Sequence, residues 1–116
     1  PLACSVANKV VEIISKKTFL DDLNKKSIFF INELEKIKNN YTNLISEIRG
    51  SGFMIGIKSK ISNSIFIEKF VNNGLLVIGA SENVIRILPP LNVTKKDLNI
   101  ALKKIEKTCG EINNKL

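Results

Sequence analysis

The spacing of apolar residues predicts two amphipathic helices in the first part of the chain. From Leu2 onwards, apolar side chains recur every three or four residues, which is the stripe of an α-helix. A second helix is predicted from Thr18, whose hydroxyl can cap it while Asp21 reaches back, to about Asn39. Its predicted buried stripe contains Leu20, Leu23, Ser27, Phe30, Ile31, Leu34 and Ile37. We expect residues 1–45 to form the helical part of the fold.

The pattern then changes to the two-residue repeat of a β-strand. Phe53, Ile55 and Ile57 lie at alternate positions and predict a strand. The glycines at 50 and 52 allow a bend or bulge just before it. This is the first of three predicted strands.

A short helix and a β-hairpin are predicted next. The helix runs from about Ser62 to Asn73, and Gly74 suits its C-terminus. Two apolar runs, at 75–78 and 84–88, flank the five-residue loop GASEN. This arrangement is typical of a hairpin and supplies the second and third strands.

The last segment predicts the end of a strand and then a capped helix. Pro89 and Pro90 cannot donate hydrogen bonds to a sheet, so the strand before them must stop. Thr94 and Asp97 have the spacing of a capping box, and the helix that follows has one apolar face. That face contains Leu98, Ala101, Leu102, Ile105, Cys109 and Ile112.

The order of these elements predicts one α+β domain over residues 1–116. We expect a small three-stranded, mostly antiparallel sheet covered by helices on one side. Residues 46–116 would contain the sheet and the helices packed on it. A length of 116 residues also fits a single domain.

The net charge leaves a question about partners. It amounts to +7, which would suit nucleic acid or an anionic ligand. The lysines are dispersed, however, in pairs such as Lys16-Lys17 and Lys95-Lys96 at positions that a helix turns to solvent. A free-standing basic module that binds nucleic acid or an anionic metabolite therefore stays open beside a merely solvated polar surface.

The cysteines and the apolar runs indicate a cytoplasmic protein. Cys4 and Cys109 lie near opposite ends of the chain, and there is no histidine to complete a zinc site. We expect both residues to be buried thiols. No apolar run approaches the roughly 18 residues that a membrane span needs, and the first ten residues do not resemble an export signal.

Residues suited to catalysis are sparse. The stretch RGSGFMIG resembles a phosphate loop, but Gly56 comes one residue too late for that motif and a strand follows instead of a helix. The strand also lacks the aromatic pair on which RNA-binding sheets stack bases. The chain has no histidine for general-base chemistry, and no serine or cysteine stands beside a base. We predict no catalytic residue and no metal ligand in it.

Arg86 is the one residue with a specific chemical interpretation. It shares a strand face with Val84 and Leu88, whereas Ile85 and Ile87 point the other way. Its guanidinium offers paired donors that match a carboxylate. Two interpretations stay open: an arginine that binds an anion, and an edge-strand arginine that extends to solvent or pairs with a nearby acid.

Three stretches resemble the C-terminal small domain of the class III pyridoxal-phosphate-dependent aminotransferases. They are PLACSVANKVVEII, EIRGSGFMIGI and GLLVIGASENVIRILPPLNVTKKDL, in the order and approximate spacing of the family. The resemblance covers nearly the whole chain. The last stretch is most similar to the acetylornithine branch, although the ornithine and 4-aminobutyrate branches share its proline pair.

The resemblance implies an aspartate-aminotransferase fold and a cytoplasmic homodimer. It implies transfer of an amino group between N-acetylornithine, or a related amino acid, and 2-oxoglutarate in arginine biosynthesis. In this family the arginine of the R-x-x-P-P motif binds the substrate carboxylate, and the matching residue is Arg86. Neither a membrane nor a nucleic acid is among the partners that the resemblance implies.

The resemblance also implies that part of the catalytic apparatus lies elsewhere. The family's cofactor is pyridoxal phosphate, and its Schiff-base lysine and cofactor-binding residues belong to segments that precede these motifs. We therefore expect a C-terminal part of a larger enzyme, with no cofactor-binding residue of its own and no activity as an isolated chain.

Overall fold

A computed structural model describes residues 1–116 and confirms the predicted α+β class. The elements are α1 Leu2–Ile14, α2 Lys17–Asn40, β1 Ile45–Ser51, β2 Met54–Ser59, α3 Asn63–Asn72, β3 Ile78–Ala80, β4 Val84–Ile87 and α4 Lys95–Asn113. A short 3-10 turn, Ser81–Asn83, joins β3 to β4. None of the helices combines the length and the apolar character that crossing a membrane requires.

The sheet has four strands rather than the three expected from the sequence. Its order is β1-β2-β4-β3, and every neighbouring pair is antiparallel. The additional strand is β1, which forms a hairpin with β2. Gly50 and Gly52, which were expected only to allow a bend before a strand, lie where this hairpin turns. The register of β1 against β2 shifts between Ile45 and Glu47, and this irregularity breaks the apolar alternation that would have revealed the strand.

The second hairpin also differs from the prediction in its position. Strand β3 begins at Ile78, so the run at 75–77 is not part of it, and Gly79 and Ala80 belong to the strand rather than to the loop. The turn is shorter than expected because Glu82 and Asn83 adopt positive φ values of 61° and 62°. Two successive left-handed residues reverse the chain within a few positions.

The isoleucines of the two central strands form the buried face of the sheet. Ile55 and Ile57 of β2 pair with Ile87 and Ile85 of β4, and all four side chains are buried. Helices α2 and α3 pack on the sheet, and α4 packs on both of these helices. The large buried side chains of the helical layer are Phe30, Leu34, Phe66, Phe70, Leu98 and Ile105. The helices thus cover one face, and the other face is open.

Helix α1 forms as predicted but buries none of its residues. Val6 and Val10, on its apolar stripe, are 55% and 48% exposed. Cys4 lies on the same helix and is exposed, so the prediction of a buried thiol is wrong for Cys4 and right for Cys109. The cause is that α1 extends away from the core, which gives the chain dimensions of 54 × 27 × 24 Å.

The predicted helix ends are confirmed in two of three cases. The backbone N–H of Asp97 donates to Oγ1 of Thr94 at 3.1 Å, which caps α4. Gly74 has a φ of 80° just after α3, as the C-terminal signal required. Thr18 makes no capping hydrogen bond, because α2 starts one residue before it and the extended Lys16 takes the N-cap position.

Candidate functional site

The open face of the sheet carries a transverse row that contains both arginines of the chain. Arg49 of β1 pairs with Gly56 of β2, and Gly56 pairs with Arg86 of β4. The row ends at Ile78 of β3. Two cationic side chains therefore rise from the same face with a bare glycine between them. We refer to Arg49, Gly56 and Arg86 as the arginine row.

Arg86 reaches the open face because of the alternation of side chains along β4. Ile85 and Ile87 are buried towards the helices, so the residue between them must point the other way. Arg86 is exposed, and its guanidinium has no hydrogen bond or ion pair with any other side chain. An arginine paired with a neighbouring acid, one interpretation left open by the sequence, is therefore not what the structure contains.

Arg49, in contrast, is held by two acids. Its Nη2 donates to Oε2 of Glu47 at 2.9 Å, and its Nη1 donates to Oε2 of Glu82 at 3.4 Å. The hydrogen bond to Glu47 raises the pKa of Arg49, and the same bond holds the pKa of the Glu47 carboxyl below its usual range. The charge of Arg49 is thus largely satisfied within the chain, whereas that of Arg86 is not.

Gly56 allows the stem of Arg49 to lie close to the sheet. A Cβ at this position would come within 3.4 Å of Cγ of Arg49 and 2.9 Å of Cγ1 of Val84. The contact with Val84 is closer than van der Waals packing permits and that with Arg49 is at the limit of ordinary packing, so a side chain here would displace Val84 and crowd the stem of Arg49. The glycine therefore sets the shape of the floor between the two arginines.

The arginine row lies in a concavity of about 350 Å³. Its lining residues are Arg49, Gly50, Met54, Ile55, Gly56, Ala80, Ser81, Glu82, Val84 and Arg86. This set contains one unpaired guanidinium and no histidine, cysteine or lysine. It can bind and orient an anion through Arg86. Its hydroxyl and its carboxylate belong to Ser81 and Glu82, and Glu82 is paired with Arg49.

The β3–β4 turn beside this concavity is anchored by Asn83. Its Nδ2 donates to the carbonyl oxygen of Ser59 at 2.9 Å and to that of Ile61, while its Oδ1 accepts from the N–H of Asn63 at 2.7 Å. These bonds fix the turn to the segment between β2 and α3. Asn83 is not among the residues predicted from the sequence, although an Asn preceded by a polar residue in a short loop is a signal for positive φ.

The chain matches known proteins over almost its whole length. A family model described as Aminotransferase class-III matches residues 1–109. Acetylornithine aminotransferase 1 of Bradyrhizobium diazoefficiens is 33% identical over 114 residues, which cover 98% of this chain and 28% of that protein. Acetylornithine aminotransferase of Bacillus cereus is 39% identical over 106 residues, with 91% of this chain and 27% of that protein covered. The chain thus spans between 27% and 28% of the length of these two relatives.

Solved structures have the same fold. The crystal structure of acetylornithine aminotransferase from Elizabethkingia anophelis superposes with a TM-score of 0.85 at 30% identity, covering 96% of this chain and 29% of that one. Plasmodium falciparum ornithine delta-aminotransferase gives a TM-score of 0.89 at 24% identity, over 100% of this chain and 28% of that one, which supports the fold alone. Because the family model covers nearly every residue described above, the chain belongs to the class III aminotransferases.

Proposed function

We propose that this chain supplies the substrate-carboxylate anchor, Arg86, to a pyridoxal-phosphate-dependent aminotransferase. The proposed reaction moves an amino group between N-acetylornithine and 2-oxoglutarate, in arginine biosynthesis. The relatives named acetylornithine aminotransferase support this choice of substrate. The cytoplasmic homodimer that the sequence motifs imply belongs to the same proposal.

The observation that carries the proposal is the unpaired guanidinium of Arg86. Arg49, in the same row, is held by two carboxylates of the chain, whereas Arg86 has no such partner. A carboxylate that binds in the concavity therefore meets an available pair of parallel donors only at Arg86.

The cofactor is not held by the concavity of this chain alone. Pyridoxal phosphate, when bound, supplies the electron sink of the reaction, and the protein must contribute a lysine that forms a Schiff base with it. No lysine is among the residues that line the concavity. We therefore assign to these residues the binding and orientation of the substrate and no chemical step.

Arg86 would anchor the keto-acid substrate of the proposed reaction. In 2-oxoglutarate one carboxylate lies next to the keto carbon that receives the amino group, whereas N-acetylornithine gives up the amino group of its δ carbon, at the opposite end from its carboxylate. An arginine that holds the carboxylate beside the keto carbon fixes the orientation of the reacting carbon of 2-oxoglutarate. A hydrogen bond to a charged group contributes about 1.5–3 kcal/mol, and an anchor that also positions the reacting carbon lowers the barrier further.

Replacement of Arg86 in the complete enzyme tests the proposal. We expect Arg86→Ala to lower kcat/KM for 2-oxoglutarate by about 100-fold or more, because the carboxylate beside the reacting carbon loses its paired donors. Arg86→Lys should recover only part of this loss, since an ammonium cannot form the same parallel bonds.

Lys58→Ala is the matched control for the loss of one positive charge. Lys58 lies on β2 but does not line the concavity. We expect it to change kcat/KM by no more than about twofold, as is usual for a surface charge outside the site. An Arg86→Ala enzyme that keeps the wild-type kcat/KM for 2-oxoglutarate would show that the anchor lies elsewhere.

No specific observation favours the alternative of a module that binds nucleic acid. Several lysines form ion pairs with acids on their own helices instead of making one cationic stripe. These pairs are Lys9–Glu12, Lys26–Asp22, Lys36–Glu33, Lys38–Glu35 and Lys107–Glu111. Alternating charges of this kind are typical of solvated helix faces.

A further inference from the structure

We infer that Arg49 is a positioning residue, which holds Glu82 away from Arg86 and so keeps the Arg86 guanidinium free for a ligand carboxylate. The inference rests on the proposed function, because it needs Arg86 to be the carboxylate anchor. In this arrangement Glu82 is an internal competitor for the anchor, and Arg49 is the residue that restrains it.

Glu82 is near enough to compete with a ligand. Glu82 and Arg86 line the same concavity, and Oε2 of Glu82 lies 3.4 Å from Nη1 of Arg49. Arg49 reaches this oxygen from β1, across two strand spacings, which amounts to a lateral distance of about 10 Å. Arg86 starts in the same row on β4, the strand that Glu82 leads into, and its side chain faces the same concavity as this carboxylate.

The two acids held by Arg49 differ in their other neighbours. Glu47 lies directly opposite Lys58 in the β1–β2 ladder, so it keeps a cation nearby if Arg49 is lost. Glu82 has Arg49 as its only ion-pair partner, and its side chain is 68% exposed and free to turn. Loss of the Arg49 charge would therefore release Glu82, and the cation left in the concavity is Arg86.

Only the side chain of Glu82 needs to move for this competition. Its backbone is fixed in the left-handed region, with a φ of 61°, and the next residue, Asn83, is anchored by hydrogen bonds to Ser59, Ile61 and Asn63. The turn therefore presents Glu82 at one place beside the arginine row. Whether Arg86 is free or paired therefore depends on which of the two arginines binds the Glu82 carboxylate.

Arg49→Met in the complete enzyme is the sharpest test. Methionine keeps an apolar stem over Gly56 and removes the charge that holds Glu82. The readouts are kcat, the KM for 2-oxoglutarate, and the Ki of glutarate, a dicarboxylate that has no group to transaminate. We expect R49M to raise KM and Ki by about tenfold and to leave kcat within about twofold, because an internal competitor weakens ground-state and transition-state binding alike.

The double variant R49M/E82Q separates competition from a merely structural effect. Glutamine cannot form an ion pair with Arg86, so KM and Ki of the double variant should return to within about twofold of E82Q alone. R49K, which keeps a positive charge near Glu82, should stay close to wild type.

Two results would overturn the inference. One is an R49M enzyme with unchanged KM and Ki, and the other is a double variant that stays as impaired as R49M. Failure of the proposed function would be seen separately, as an unchanged Ki for glutarate in Arg86→Ala.

Discussion

At the scale of single residues, burial of Cys109 ties the stability of the protein to alkaline pH. Burial raises the pKa of this thiol from 9.0 to about 12, and the nearby charge of Glu106 adds to the rise. The unfolded chain loses the proton at a pH where the folded chain keeps it. The stabilising contribution is therefore complete below pH 9.0 and is lost as the pH rises towards about 12.

We expect the free energy of unfolding to fall more steeply above about pH 9 in wild type than in Cys109→Ala. This rise in the pKa corresponds to a loss of about 4 kcal/mol in the free energy of unfolding once the thiol is ionised in both states, at ~1.36 kcal/mol per pKa unit. Urea unfolding at a series of pH values measures the difference between the two proteins. Cys4→Ala, on an exposed helix, is the control and should follow wild type. Parallel curves for wild type and Cys109→Ala would contradict the prediction.

Part of the candidate site can be derived from the sequence at this scale. Arg86 stands between two isoleucines, so strand alternation alone places it opposite the core. The pairing of Arg49 with Glu82 cannot be derived in this way, since the two residues are 33 positions apart and meet only through the strand order. The sequence could therefore identify Arg86 as the proposed anchor, but not Glu82 as its proposed competitor.

At the scale of elements, the β1–β2 hairpin depends on the conformation of Gly50. This residue has a φ of 145°, and a Cβ there would lie 2.3 Å from the backbone oxygen of Met54. We expect Gly50→Ala to destabilise the protein by about 3 kcal/mol or more, because the clash is with the backbone and cannot be relieved by a rotamer change.

Gly52→Ala is the matched control for this hairpin. Gly52 also has a positive φ, of 57°, but a Cβ there would meet only Leu23, at an ordinary distance of 3.8 Å. Gly52→Ala should lower the free energy of unfolding by about 1–2 kcal/mol, because an alanine is strained in the left-handed region. Chemical denaturation of the two variants gives both values. Equal losses at the two glycines would mean that the contact with Met54 does not matter.

The helices were easier to predict than the strands for a physical reason. A helix of three or more turns repeats its apolar period several times, as α2 and α4 do, so one irregular residue does not obscure it. Strand β3 was predicted at 75–78 but has only three residues, Ile78–Ala80, and β1, which contains a register shift, was not predicted. Strands this short or irregular offer too few alternations to fix their position, which is decided by pairing with β4 and β2.

At the scale of the whole molecule, helix α1 leaves an apolar face exposed on the 116-residue chain. Side chains of this helix contribute to no buried core. Clustered apolar surface of this kind promotes association. We expect the chain to self-associate as its concentration rises, and the double variant Val6→Gln with Val10→Gln to shift this association to higher concentration by about tenfold.

Sedimentation velocity over a range of concentrations measures this shift. The free energy of unfolding of the same variant should lie within about 0.5 kcal/mol of the wild-type value, since the replaced valines are exposed. Exchange of Lys16 for Gln, on the exposed turn after α1, is the control and should not alter association. Unchanged association in the valine variant would place the contact surface elsewhere.

The strand order also has a consequence for the sequence of folding events. The β1–β2 and β3–β4 hairpins each close over a short stretch of chain, whereas the β2–β4 ladder joins residues as far apart as Ile55 and Ile87. Local hairpins form within about 1–10 μs, while pairing across the intervening α3 carries a larger loop-closure entropy and comes later. Arg49 belongs to the β1–β2 hairpin, and Arg86 belongs to the β3–β4 hairpin. The concavity is therefore assembled only when the two halves dock, and a nascent chain that has made both hairpins still lacks the cleft in which Arg86 is proposed to bind a carboxylate.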